Sequence, residues 1–562
     1  MRRFILIDQS ITGEGGHYLS YACAVMNGAI AEGFLPVLCV NYRFGTAKEL
    51  PYRVYPAFRY TSLESTSSFR LRGSMADAGG SGYLWGGMIK PAIQRAARIV
   101  FGARYQKARA HFFPHKSLKS SETAEQAHKA SCFMQDFLAL LSRLELCAED
   151  IVFFPTLSIV ELHGLEQAIH EIDCTQMPSF HLLFRWNPFH GKRKDYGEEL
   201  EQMSYERECF GRCEDINFLH FYTDSERLAE QYNCFSKCRF SVLPIPHTGY
   251  TVSDAWQKKS ERTISYLGDA RPEKGFLQLP RVINALARER VQFQVQANYN
   301  IPGGEGGVAK CRKKLRNIEN VALFETALNA EKYSAALKKT DIMLILYDPE
   351  QYYARSSGIF AEAMAAGIPA LVPADTWMSA QVCKERNEQL GKIAAQFGAR
   401  QFNVEITNGE FVWKNERGYT AKIILRFIVN WANGCDSICI QAAVENEDRA
   451  ELGQAVDYVE RERGNECFAL FSVPKRCNAI KFHLNGTYEQ KMPKIYSVEV
   501  IELCANTPEF GGICRIFDSY DQCGAILRDM IEHYPIIRRS TEQYSKKWSM
   551  FHNAGFLINL LK

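Results

Sequence analysis

Short apolar runs separated by helix-period stretches occur in two series along this chain, and that alternation limits the fold more than any other feature. Phe4–Asp8, Pro36–Val40, Ile151–Phe154, Ser179–Leu183, Asn217–Tyr222 and Phe240–Leu243 read as strands, with helical patterns such as Tyr18–Glu32 between them. The pattern restarts near Thr263. Thr263–Leu267, Val291–Ala297, Val321–Phe324, Asp341–Leu346 and Ala370–Val372 read as strands, Pro272 opens a helix, and another helix covers Phe360–Ala366. Such alternation calls for mainly parallel sheets covered on both faces. The polar, Pro-containing stretch from Pro244 to Arg262 separates the two series as a hinge would.

From about Gln401 the period changes from helical to two. Phe402, Val404 and Ile406 alternate with polar neighbours, and Ala421-Ile423-Leu425-Phe427-Val429-Trp431 forms a longer alternating face. Ile480-Phe482-Leu484 and Tyr496-Val498-Val500 repeat the pattern, with Asn408-Gly409, Asn433-Gly434 and Asn485-Gly486 as turn signals. These features predict an antiparallel β-sandwich. Helical pattern returns from Asp521, so the sandwich is expected as an insertion in the second α/β domain. The expected domains are 1–250, 251–398 together with 512–562, and an inserted sandwich at 399–511. A chain of 562 residues has room for three such bodies.

The formal net charge of +3 excludes the global basic field of a nucleic-acid binder, so no nucleic-acid partner is expected. No apolar run approaches the length of a membrane span. Met1–Asp8 is too short in its apolar part for a signal peptide and reads as a buried strand. The 18 Cys then read as reduced thiols in a cytoplasm. Cys209, Cys213, Cys234 and Cys238 leave a structural zinc as the minor alternative to simple burial.

Two segments carry chemistry. In Ser265–Phe276 a strand ends at Gly268, Pro272 starts a helix, and Arg271 and Lys274 occupy the loop and first turn. Helix-start N–H groups, an Arg fork and a Lys point charge suit a diphosphate; ordinary surface charges are the competing reading. In Tyr353–Pro369, Arg355 is followed by Ser356, Ser357 and Gly358 as hydroxyl and backbone donors at a helix start, with Glu362 one turn inside. A third stretch, Gly13-Glu14-Gly15-Gly16-His17, is a glycine loop after the first strand, with Glu14 as a further candidate.

The first two segments resemble the donor half of GT-B glycosyltransferases, in particular the large family 4. Gly268, Arg271 and Lys274 match one motif, and Glu362-Ala363-Met364-Ala365-Ala366-Gly367-Ile368-Pro369 matches another. The resemblance spans about residues 1–395 plus the last 50. It implies two Rossmann-like domains facing a cleft, here with an inserted antiparallel β-sandwich. Residues 1–250 would form the acceptor domain, and 251–398 with 512–562 the nucleotide-sugar donor domain. The helix around Trp548–Leu561 would cross back to the first domain.

The resemblance further implies a retaining hexosyltransferase. It would move a sugar from a nucleotide-sugar donor to a glycan or lipid-linked acceptor, in cell-surface polysaccharide synthesis. Arg271, Lys274 and His17 are the expected catalytic residues. Gly15, Gly16, Gly268, Arg355, Ser356, Ser357, Gly358 and Glu362 are the expected donor-binding residues. No metal or other cofactor is expected, and no DxD-type pattern stands at a strand end. One departure matters. The family places a first Glu at the position of Ala354, so a non-catalytic nucleotide-sugar or glycan-binding protein is the alternative, and a GT-B epimerase a third.

Residues 90–129 are locally basic with interleaved aromatics. They read either as a peripheral contact on the inner face of a membrane or as a solvated helix face. Trp413, Tyr419, Trp431, Tyr458 and Tyr488 in the sandwich read either as a carbohydrate-stacking face or as core.

Overall fold

A computed structural model describes residues 2–13, 18–46, 49–62, 116–172, 177–189, 200, 203–247, 260–299, 307–416, 421–431, 436–445, 455–461, 464–474, 477–489 and 491–562. The first sheet is built from β1 (Arg3–Asp8), β2 (Leu35–Asn41), β3 (Arg53–Phe58), β4 (Ile151–Phe154), β5 (Ser179–Phe184), β6 (Leu219–Thr223) and β7 (Phe240–Val242). Their order is β3-β2-β1-β4-β5-β6-β7, with parallel pairing such as Ile5↔Val37 and Phe4↔Ile151. β1, β4 and β5 are almost wholly buried, which is why they read as unbroken apolar runs rather than alternating ones.

The second sheet is built from β8 (Arg262–Tyr266), β9 (Val291–Gln296), β10 (Val321–Phe324), β11 (Ile342–Leu344), β12 (Ala370–Pro373) and β21 (Arg515–Phe517), all parallel, in the order β10-β9-β8-β11-β12-β21. Both sheets therefore reverse direction beside their first strand, between β1 and β4 and between β8 and β11. In open parallel sheets this reversal opens a crevice at the carboxyl ends of the two strands, where ligands bind. The two Rossmann-like sheets expected from the sequence are thus present.

Between β12 and β21 the chain builds two antiparallel sheets, ordered β13-β20-β15-β18 and β14-β19-β16-β17. The strands are β13 (Gly398–Val404), β14 (Glu410–Lys414), β15 (Lys422–Asn430), β16 (Ser437–Glu445), β17 (Ala455–Glu460), β18 (Glu466–Ser472), β19 (Ala479–Gly486) and β20 (Lys494–Leu503). Phe411, Trp413 and Phe482 from one sheet share a core with Leu425, Phe427 and Val500 from the other. Alternation decides the packing here, because every second residue of β15 faces that core. Asn408 and Gly409 both take positive φ in the turn between β13 and β14, as a type I′ turn requires. The Asn485-Gly486 signal marks the last two residues of β19, and the chain turns only after it, at Thr487–Glu489.

Trp413 and Trp431 are buried in the sandwich core, so the core reading holds for them, whereas Tyr458 is buried among residues of the α/β part such as Met364 and Trp377. Tyr488 is half-buried, and Tyr419 lies outside the described residues.

The chain packs as two compact units. One comprises residues 1–13, 34–184 and 205–220; the other comprises 14–33, 185–204 and 221–562. In the first unit, Phe58, Phe133 and Phe137 stack between β3 and the helix Lys116–Leu144. That helix approaches the helix Ile159–His170 so closely that a Cβ at Gly164 would meet the Ala130 carbonyl at 2.4 Å. In the second unit, the last helix, Ala554–Leu561, lies against the helix Tyr18–Ala31. A Cβ on Gly28 would sit 2.5 Å from that of Ala554. Among the described residues no helix is long and apolar enough to cross a membrane.

Candidate functional site

β8 ends at Tyr266, and Gly268 follows with φ +112°, a conformation that glycine adopts without strain. Its N–H donates to Gln296 Oε1 at 2.9 Å, and Gln296 and Asn298 continue the chain of bonds to Asp269 Oδ1. The loop is thereby stiffened from β9. A Cβ on Gly268 would lie 3.4 Å from Lys274 Nζ and 3.8 Å from Ile359. This one position therefore brings the two sequence motifs together, at the switch point between β8 and β11.

The expected helix from Pro272 takes a different form. Pro272–Lys274 is a single 3₁₀ turn, Gly275 follows with φ +74°, and a regular helix begins only at Leu279. The reason is packing. A Cβ at Gly275 would fall 1.9 Å from the Leu346 carbonyl oxygen, so the chain breaks its helix to pass under the end of β11. The N–H groups of Lys274 and Gly275 are taken within the turn. The positive charge of this turn therefore comes from the side chains of Arg271 and Lys274, and not from a helix terminus.

Arg271 is partly exposed, with Nη1 3.4 Å from Glu273 and a buried Nε that has no hydrogen-bond partner among the described residues. Lys274 Nζ stands 5.6 Å from the centre of the Tyr347 ring. Burial, then the Arg271 and Arg355 charges, push its pKa down to about 8, with Asp269 and Glu273 opposing. A lysine depressed by burial and then by neighbouring cations is electrostatically primed to accept an anion, whose arrival offsets both.

Arg355 lies over Tyr352 at 5.0 Å and over Trp186 at 5.6 Å from the ring centres. Aromatic faces hold a guanidinium without neutralising it, and among the described residues no carboxylate pairs with it. Ala354, where the resemblance places a carboxylate, is fully buried, and its carbonyl accepts a bond from the Ser225 hydroxyl.

The two serines have structural partners. Ser356 Oγ donates to Asp224 Oδ2 at 2.6 Å, and Ser357 Oγ caps the helix Gly358–Ala365 by accepting from Phe360 N–H at 3.2 Å. Their hydroxyls fix the helix start, and the donors left facing outward are backbone N–H groups at Gly358 and Ile359. A Cβ at Gly358 would meet nothing within 4 Å among the described residues, so among them that helix end is open. Glu362 accepts a bond from the Tyr333 hydroxyl, reaching over from the helix Ala330–Lys339.

Gly268, Arg271, Lys274, Arg355, Ser356, Ser357, Gly358 and Glu362 thus lie on two segments that meet at the switch point between β8 and β11. Gly15, Gly16, Glu14 and His17 lie outside the described residues, as does most of the basic stretch 90–129; only Gly13 of that glycine loop is described, bridged to Gly45. Sequence reasoning missed Tyr333, Trp186, Asp224 and the Gln296–Asn298 chain. Only the tyrosine-rich approach to Arg355, at Tyr347, Tyr352 and Tyr353, left a local signal. Among the described residues no three His, Cys, Asp or Glu side chains gather as a metal site.

No family model matches this chain, and no curated protein matches it. Among solved structures it is similar to the sucrose-phosphate synthase of Thermosynechococcus elongatus, at 12% identity and TM-score 0.43 over 70% of this chain and 90% of that one. It is similar to OtsA in its apo form at 10% identity and TM-score 0.41, over 68% and 86%. A third is Anabaena HepE in complex with UDP and glucose, at 11% identity and TM-score 0.36, over 68% and 83%.

Proposed function

We propose that the chain is a GT-B glycosyltransferase that moves a hexosyl group from a nucleoside-diphosphate sugar to a glycan or lipid-linked acceptor, with retention, in cell-surface polysaccharide synthesis. The observation that carries this reading is the meeting of Arg271, Lys274 and the open start of the helix Gly358–Ala365 around Gly268. Departure of a nucleoside diphosphate leaves negative charge on oxygen. Fixed cations and N–H groups aimed at that charge stabilise the transition state without reorganising. Arg271 would supply a fork, Lys274 a point charge and Arg355 a third cation from the other segment. Glu362, oriented by Tyr333, would accept hydrogen bonds from hydroxyls of the donor's ribose. His17, Gly15 and Gly16 stay in the proposal on their sequence positions alone, as does a peripheral membrane contact through 90–129.

The test is a thermal-shift screen of UDP, GDP, ADP and CMP sugars followed by turnover of the one that stabilises. Stabilisation by one nucleoside diphosphate, lost in Arg271→Ala, supports the site. No stabilisation by any of them overturns it. One observation favours a second reading, binding without turnover: the buried Ala354 leaves its position without a carboxylate. Tight donor binding with neither transfer nor hydrolysis would favour that reading over the first.

A further inference from the structure

The sandwich has no part in the scheme above, yet one of its edges is tied to the site. Asp436 immediately precedes β16, and Glu460 ends β17. The register pairs Ser437 with Glu460, so the two carboxylates stand at neighbouring positions of one sheet edge. Both side chains are fully buried. Neither faces the sandwich core of Trp413, Leu425 and Val500; each is turned toward the α/β part of the same unit.

Asp436 accepts a hydrogen bond from the Tyr353 hydroxyl. Glu460 Oε2 accepts from Arg227 Nη2 at 3.2 Å, and its Oε1 accepts from the Asp375 N–H at 2.7 Å, just past β12. Arg227 closes the ring, with Nη1 3.3 Å from the Tyr353 carbonyl and its guanidinium 4.6 Å from the centre of the Tyr353 ring. Arg461 Nε, 2.9 Å from Asp436, balances the second carboxylate. Tyr353 is therefore gripped at its hydroxyl, ring and carbonyl. Its neighbours on either side are Tyr352, which lies under Arg355, and Ala354, which leads into it.

Burying this many charges is expensive, and well-packed apolar residues would serve bulk stability as well or better. What such a network supplies is register: each group has one place in which all are paired. We propose that the sandwich is a positioning element of the candidate site, in which Asp436 and Glu460 fix, through Tyr353 and Arg227, the segment Tyr352–Ser357 that carries Arg355 and starts the helix Gly358–Ala365. Asp436, Glu460, Tyr353 and Arg227 are positioning residues in this scheme; none of them touches the ligand. The inference rests on the function proposed above for its consequence in binding, but the mechanical link stands apart from that function.

The experiment has two readouts on the full chain. Hydrogen exchange follows amides 352–360 in the wild type, Asp436→Asn, Tyr353→Phe and a control, Tyr496→Ala, an exposed residue of β20. The expected result is exchange about tenfold faster at 352–360 in the first two variants, with β15 and β20 still protected and the control unchanged. Unchanged exchange at 352–360 overturns the link. So does equal loss of protection through the whole sandwich, which would mean that the network only holds the sandwich together.

The second readout is affinity for the nucleoside diphosphate that stabilises the wild type. Each single variant should weaken binding about tenfold and raise the donor KM by a similar factor, with kcat changed much less. The double variant should lose little more than the worse single one, because both remove one interaction. Additive losses, or a fall in kcat alone, overturn the positioning role. A wild type that binds no nucleoside diphosphate sinks the proposed function instead, and exchange at 352–360 still decides whether the sandwich holds that segment.

Discussion

The two segments that meet at Gly268 are held in contrasting ways. The turn Arg271–Gly275 is fixed by its own α/β framework: Tyr266 Oη donates to the Lys274 carbonyl at 3.2 Å, Asp348 N–H donates to the Glu273 carbonyl at 2.8 Å, and Gly275 slides under Leu346. The segment Tyr352–Ser357 is fixed from far along the chain, by Asp224, Ser225, Arg227, Asp436 and, through Arg227, Glu460. The first is a local structure written in glycine, proline and backbone bonds. The second is a tertiary structure written in buried charge. The lesson is that two neighbouring segments can differ in what would break them: shape for one, pairing for the other.

Gly275→Ala is the most damaging single change to the first segment. Left-handed strain and overpacking against Leu346 add to roughly 4 kcal/mol. The expected outcome is a large fall in the urea midpoint or loss of soluble protein, and near-wild-type stability would show that the turn can move. Arg227→Met tests the second segment. Leaving Glu460 and Asp375 buried without their cation should cost about 3–5 kcal/mol. Changing Arg227 and Glu460 together to apolar residues should recover much of that loss, and a urea titration of both variants reads the difference.

Lys274 sharpens the contrast through pH. Below about 8 its ammonium is charged and, under the proposed function, would meet a diphosphate; above, it is neutral. Nucleoside-diphosphate affinity should fall as pH rises through that value, and Lys274→Arg should abolish the falling limb. The stability effect runs the other way. In the unfolded chain the lysine keeps its proton to about 10.4, so between about 8 and 10 the unfolded state binds more protons and the native state gains stability with rising pH. Lys274→Met should therefore be more stable than the wild type at pH 7, with an advantage that narrows above pH 8 in a melting series. Tyr333→Phe is the mildest test. Losing one hydrogen bond to Glu362 should cost about 1 kcal/mol, read as a few-fold rise in the donor KM.

The same contrast explains what could be read in the sequence. The strands β1, β4, β8 and β12 were visible as apolar runs, β15 as a longer alternating face, and the pairing of the two motifs in one site only through the family resemblance. Gly268, Arg271, Lys274 and Glu362 could be named because their segments resemble the two donor-site motifs of a known family, and Gly268 also because it ends a strand. The 3₁₀ break at Gly275 was not visible, since nothing near it signals that Leu346 passes overhead. Nor were Tyr333, Trp186, Asp436 and Glu460. A tyrosine in an amphipathic helix or an acid at a strand edge looks solvated until the partner, 83 residues away for Tyr353 and Asp436, is known.

The placement of the sandwich also bears on how the chain folds. β12 and β21 are neighbours in the second sheet, yet Ala370 N–H bonds Cys514 Sγ across 144 residues. Closing so long a loop is slow and entropically costly. The sandwich, however, enters and leaves at adjacent points, because Gly398 in β13 pairs with Leu503 in β20. Once those strands have zipped, the effective loop between β12 and β21 shrinks to about forty residues, and the closure penalty drops by about 1 kcal/mol. Pairing of β13 with β20 therefore lowers the cost of adding the last strand to the α/β sheet that hosts the insertion.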